Sequence, residues 1–270
     1  MFNYNPFAEI SASMSPSVMQ VYIVVMFALV VLGTMYDVLH KRSARYFFNN
    51  WRKARDERSK KVGGGELVSI AIQTAVVDVM TSGEFCSIRR RIAHLLTMYG
   101  FVAFVVATTI IVFRYPTSAA PAFVAQLWHI GASMICVGGY WFWFFIRVDV
   151  AAEGNSPFRI VRADLFVLSL LASATFALLW SWFQFAGQSI AMQFQETNNP
   201  IAMVLFGLHI IATTVLFGSV PWSKFAHMFF KPAAALERRV AEASGSRSNL
   251  PAPADKPEIF GGTGERPRNY

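Results

Sequence analysis

Five histidines stand out in this chain: His40, His94, His129, His209 and His227. Four of them fall inside or beside long apolar runs, where an ionisable group is costly and is by default a functional candidate. His129 and His209 sit at the eighth and ninth positions of runs entering from the same side, so they share a depth in the outer half. His94 and His227 share the opposite, inner boundary. Bis-histidine ligation of haem b needs two neutral imidazoles on separate rigid elements, facing each other across iron. Helix bundles build such sites from inward-facing side chains. His209 and His227 are 18 residues apart, five helical turns, which returns them to one helix face with an axial separation of at most ~27 Å. The spacing therefore predicts two stacked haems, an inner one on His94 and His227 and an outer one on His129 and His209. Gly131 and Gly207 adjoin the outer pair and would leave room for a flat macrocycle, although small residues also mediate plain helix packing. His40, beside Lys41 and Arg42, reads as an interfacial residue. Cys86 and Cys136 have no CxxC partner, which argues against an iron–sulfur cluster bound by this chain. Metal transport finds no Cys/His or acidic cluster within the runs.

The elements that must position these histidines follow from composition. The 270 residues are 54% hydrophobic and only 15% charged, against roughly 25% charged in soluble domains. With 25 Phe, 8 Tyr and 7 Trp the chain is not generally disordered, and two cysteines cannot staple a chain of this size. Crossing a bilayer core of ~30 Å takes ~20 helical residues. Five segments meet that demand: Val18–Leu39, Ala93–Phe113, Ala122–Ile146, Leu165–Gly187 and Ile201–Val220. The first lacks the basic lead and small-residue cleavage site of a signal peptide. Continuous rather than alternating hydrophobicity excludes a barrel. The expected fold class is all-α, an integral membrane bundle of five transmembrane helices.

Cations decide the expected orientation. When the spans alternate, 23 of the 24 Lys and Arg fall on one side, with Arg114 the exception. The N-terminus is thus expected outside and the C-terminus in the cytoplasm. The net charge of +8 becomes a topology signal, which removes the case for nucleic acid. The expected organisation is an outer segment 1–17, a membrane domain 18–232 with a basic cytoplasmic loop at 40–92, and a tail 233–270, mostly disordered. Residues 40–61 interleave Tyr46, Phe47, Phe48 and Trp51 with cations, the pattern of an interfacial helix on anionic lipid. After Gly63–Gly65, residues 66–80 predict a second short apolar helix, resting on the membrane or docking a partner.

The stretch Arg89-Arg90-Arg91-Ile92-Ala93-His94-Leu95-Leu96-Thr97-Met98-Tyr99-Gly100-Phe101 and the later Pro221-Trp222-Ser223-Lys224-Phe225-Ala226-His227-Met228-Phe229 resemble a haem b membrane family. It includes the gamma subunit of respiratory nitrate reductase, the membrane subunit of heterodisulfide reductase and a membrane subunit of the quinone-interacting membrane oxidoreductase. The resemblance covers roughly residues 15–235. The length, with no fused ferredoxin domain, is also similar to the membrane anchor associated with adenylylsulfate reductase in sulfur-oxidising bacteria. The resemblance implies quinone-linked electron transfer through haem b, to or from a cytoplasmic iron–sulfur or flavin enzyme, in a bacterial or archaeal cytoplasmic membrane. It matches His94 and His227 to one ligand pair and His209 to a ligand of the other. One departure stands out: where the nitrate reductase subunit carries its fourth ligand, this chain has Phe104, so the outer haem would turn to His129. Arg89–Arg91 or Lys224 would meet the inner haem's propionates. A quinone near the outer haem would have Gln126, Gln184 or Gln188 as donors to its carbonyl. Two other readings compete, a haem-free membrane anchor for such an enzyme and a transporter with incidental histidines.

Overall fold

No water reaches the bilayer core, so an apolar segment must close its own backbone hydrogen bonds, and a helix does this within one segment. The computed structural model describes residues 1–40, 43–83, 85, 87–147, 158–161, 164–194, 200–222 and 227–246, with the side chains at 43, 44, 46, 188–194, 227 and 229 also outside the description. All regular structure among the described residues is helical. The elements are α1 (Pro6–Ile10), α2 (Pro16–His40), α3 (Ser43–Asp56), α4 (Gly64–Gln73, continued by π-helical Thr74–Met80), α5 (Ile88–Arg114), α6 (Ala122–Trp141, continued by π-helical Phe142–Ile146), α7 (Leu165–Phe194), α8 (Pro200–Gly218) and α9 (His227–Ser244). Five of these, α2, α5, extended α6, α7 as far as Gly187, and α8, are long and apolar enough to cross a membrane. They coincide with the five expected spans within a few residues, and the chain is a multi-pass membrane protein. The largest difference is at α5, which begins at Ile88 and takes Arg89–Arg91 into its first turn.

The chain divides into two compact units. The first comprises Met1–Val38 and Ile88–Ala226. Within it α5 lies along α6, α6 on α7, and α7 on α8. Glycine explains how close α5 and α6 come. A Cβ on Gly131 would stand 2.7 Å from the Phe104 backbone nitrogen and 2.9 Å from the Gly100 carbonyl oxygen. One on Gly138 would stand 2.7 Å from the Ala93 carbonyl oxygen. Lipid is as apolar as leucine, so spans associate by close backbone approach at such positions. Gly131 is therefore filled by the neighbouring backbone and offers no gap for a macrocycle, whereas the space at Gly207 is open. Trp128, Trp180, Ile111, Ile135 and Leu216 fill the fully buried centre. Thr97, Thr108, Thr109, Ser133 and Thr214 each donate their hydroxyl to the carbonyl four residues earlier, which satisfies a polar group without leaving the helix. Arg147 donates to both carboxylate oxygens of Asp164 and lies 4.2 Å over the Trp143 ring, joining the end of extended α6 to the start of α7.

Helix α2 behaves differently. Among the described residues it shares no extended close seam with another helix, although Met19, Ile23 and Met26 are buried against the bundle, and its polar contacts are single points. Gln20 donates to the Val112 carbonyl at 3.2 Å, the Tyr22 hydroxyl reaches the Ile210 carbonyl at 3.1 Å, and Gly33 abuts Val220.

The second unit comprises Leu39–Ser87 and His227–Tyr270. In it α9 packs against α3 and against α4 with its π-helical extension. Residues 233–244, the first part of the expected tail, belong to α9. Ala233, Ala234, Ala235, Leu236, Val240 and Ala241 supply its helix formers and apolar positions. The tail beyond 246 lies outside the described residues. Arg239 of α9 holds Asp78 through two bonds, Nε to Oδ2 at 2.6 Å and a second guanidinium nitrogen to Oδ1 at 3.0 Å. These hydrogen bonds hold the Asp78 carboxyl below its ordinary range, against the opposing effect of burial. The Ser59 and Lys60 amides donate to the Ser244 carbonyl and cap the end of α9.

Replacing Gly131 with Val should force α5 and α6 apart and destabilise the bundle by ~1–3 kcal/mol. The check is a lowered thermal unfolding midpoint in detergent, with Gly207→Ala as the control that leaves it unchanged.

Candidate functional site

His209 lies in the middle of α8 and is 5% exposed. Its Nδ1 stands 2.9 Å from the Ser173 carbonyl oxygen of α7 and 3.3 Å from the Ser173 hydroxyl. A carbonyl only accepts, so Nδ1 carries the proton and Nε2 keeps its lone pair. This is the tautomer of a histidine that ligates through Nε2, with the other nitrogen oriented by a backbone carbonyl. His209 lines a cavity of about 60 Å³ between α2, α5, α7 and α8. The lining is almost wholly apolar, with Tyr22, Thr108, Thr109, Ser173 and Thr213 as its hydroxyl residues. Phe104 shares that lining, and its ring meets the His209 ring edge to face at 6.2 Å.

His129 is also buried and its Nδ1 also donates to a carbonyl, that of Ala125, at 2.8 Å. Its Nε2 then accepts the Ser181 hydroxyl of α7 at 2.8 Å. Both ring nitrogens are thereby occupied, and His129 is absent from the cavity lining. Among the described residues no ring contact joins His129 to His209. The path between them runs through Trp128, 4.8 Å from His129, then Trp180, 6.1 Å further on and 6.0 Å from His209. These residues do not fit an iron shared by His129 and His209. His129 ties α6 to α7, and His209 is the one of the two that lines the cavity.

The inner pair is divided. His94 belongs to the first unit and His227 to the second, and the side chain of His227 lies outside the described residues, as does Lys224. Of the three glutamines, Gln126 donates to Asn3 at 2.9 Å near the surface. The Gln188 side chain is outside the described residues. Gln184 is buried, and its Oε1 has no hydrogen-bond partner. Its neighbour is Glu9.

No protein-family model, curated protein or solved structure matches this chain.

Glu9 brings in a feature that depth counting along the spans does not reveal. Within the outer segment 1–17, Asn5 and Pro6 start α1, Asn5 accepting from the Phe7 amide and Pro6 opening the first turn. The Asn5 amide nitrogen also donates to the carbonyls of Tyr115 and Ser118, at 2.9 and 2.8 Å, just past the end of α5. Phe7 then packs edge-on against Trp180 at 5.0 Å and Trp128 at 5.9 Å, and contributes to the cavity wall. This cap carries Glu9 against Tyr4 and Gln184. Burial pushes the Glu9 carboxyl above its ordinary range. Burial likewise raises the Tyr4 phenol. Asn5-Pro6 is the sequence signal for this element.

A carboxyl whose docked value is raised supports docking fully below its ordinary range and loses that support as pH rises through the raised value. The α1 cap should therefore hold most tightly at acid pH and loosen toward neutrality. Hydrogen exchange of amides 6–10, corrected for intrinsic rates, checks this, and Glu9→Gln should flatten the dependence.

Proposed function

We propose that this chain is a membrane subunit that passes electrons between the quinone pool and a cytoplasmic iron–sulfur or flavin redox enzyme, with haem b as its cofactor. Adenylylsulfate reductase and heterodisulfide reductase-like complexes are the partner types the resemblance names. In this reading the N-terminus is outside, the C-terminus is cytoplasmic, and the membrane is the cytoplasmic membrane of a bacterium or archaeon. The support for orientation is the concentration of 23 of 24 cations on one side.

The observation that carries the reading is His209. A buried histidine, held by a carbonyl with Nε2 left basic, lines an apolar slot inside a five-span bundle. Bound haem would supply one-electron transfer within the membrane. The chain's own part is to fix the His209 tautomer through Ser173, to exclude water with Phe104, Trp180 and Leu216, and to wall the slot with α2. The resemblance assigns the inner haem to His94 and His227. At the outer level the proposal rests on His209, because His129 is bonded through both nitrogens.

One observation favours the haem-free anchor as a second reading. The slot's 60 Å³ is well below the ~300–1,000 Å³ of ordinary ligand pockets, so a macrocycle would have to displace loosely held α2.

A reduced-minus-oxidised spectrum of protein expressed with haem supplied separates the two. A b-type α band is expected, and its absence leaves the haem-free readings. His209→Ala should reduce or shift that band. His129→Ala should leave the spectrum intact while lowering stability by ~1–3 kcal/mol through the Ser181 and Ala125 partners it abandons.

A further inference from the structure

Within the second unit, α4 and its π-helical continuation show three different sides. Ile70, Thr74 and Asp78 are buried, and Asp78 is locked to Arg239 of α9. Glu66, Ser69 and Gln73 form a polar edge. The remaining arc is apolar and uncovered: Leu67 is 40% exposed, Val68 59%, Ile72 60%, Val76 46% and Val77 38%. The step of four residues from 68 to 72 to 76 keeps this stripe continuous, because the change to π winding, with its longer turn, begins at Thr74. The ion pair matters here. With Asp78 bonded to Arg239 of α9, the helix cannot roll its valines inward.

A stripe of this size requires a partner, and two features select which kind. Residues 39–87 carry nine Lys and Arg against five Asp and Glu, and the cations of α3 and of the chain after it, Arg52, Lys53, Arg55, Arg58, Lys60 and Lys61, are exposed. The same stretch is continuous with apolar spans at both ends, leaving α2 at His40 and entering α5 at Ile88. We propose that the Val68–Ile72–Val76 stripe is a lipid-binding face that inserts at headgroup depth into an anionic leaflet. Apolar side chains would enter the interface, the polar edge would remain in water, and the neighbouring cations would meet lipid phosphates.

Site-directed spin labelling of the full-length chain tests this. Single cysteines replace Val68, Ile72, Val76, Ser69 or Gln73 on a Cys86→Ser, Cys136→Ser background, in nanodiscs of phosphatidylcholine with or without phosphatidylglycerol. In discs containing phosphatidylglycerol, labels at 68, 72 and 76 should favour oxygen over a water-soluble nickel chelate several-fold more than labels at 69 and 73. That contrast should fall several-fold in the neutral discs. Nickel access at all five positions in both discs overturns the proposal and marks the stripe as a protein-docking face. Equal contrast in neutral and anionic discs also overturns it, because charge would then have no part in seating the helix.

Discussion

In an apolar layer every polar group has to be answered by the chain itself, and most of this architecture is that requirement worked out residue by residue. The backbone answers by coiling. The hydroxyls of Thr97, Thr108, Thr109 and Ser133 answer by folding back onto their own helices. The imidazoles cannot do so completely, because each presents two nitrogens on opposite edges of a rigid ring. His129 finds one partner in its own helix and the second across the interface at Ser181, so its chemistry is spent on packing. His209 has Ser173 for one edge and a cavity beside it. The same residue type thus meets two different surroundings according to what the neighbouring helix offers.

This explains how far the sequence could be read. Span number and bounds were legible because length and hydrophobicity are one-dimensional properties. Rotation about the helix axis was not. Nothing in the spacing of His129 indicates Ser181, and nothing in Phe104 indicates that its ring would lie against His209. The role of Gly131 was open for a related reason: a small residue permits either a ligand or a backbone to approach, and only the packing of α5 shows which one arrives.

Short elements were harder to see than long ones. Helix α1 has a single buried turn, too few residues for a period, and only the Asn5-Pro6 pair announces it. Helix α9 mixes apolar and charged residues around Pro232 and sits next to a tail of different composition, which obscured its apolar side. Both take part in tertiary structure through particular side chains, Phe7 in the first unit and Arg239 in the second.

The sparse attachment of α2 bears on biogenesis. Although it precedes the other four spans along the chain, it has no seam like the one that Gly100, Gly131 and Gly138 make between α5 and α6. Helices α5 and α6 could then pair on insertion, with α2 joining afterwards through Gln20, Tyr22 and Gly33. The earliest of the five to reach the bilayer would be the last to join, and the wall it closes would be the last part of the bundle to be sealed.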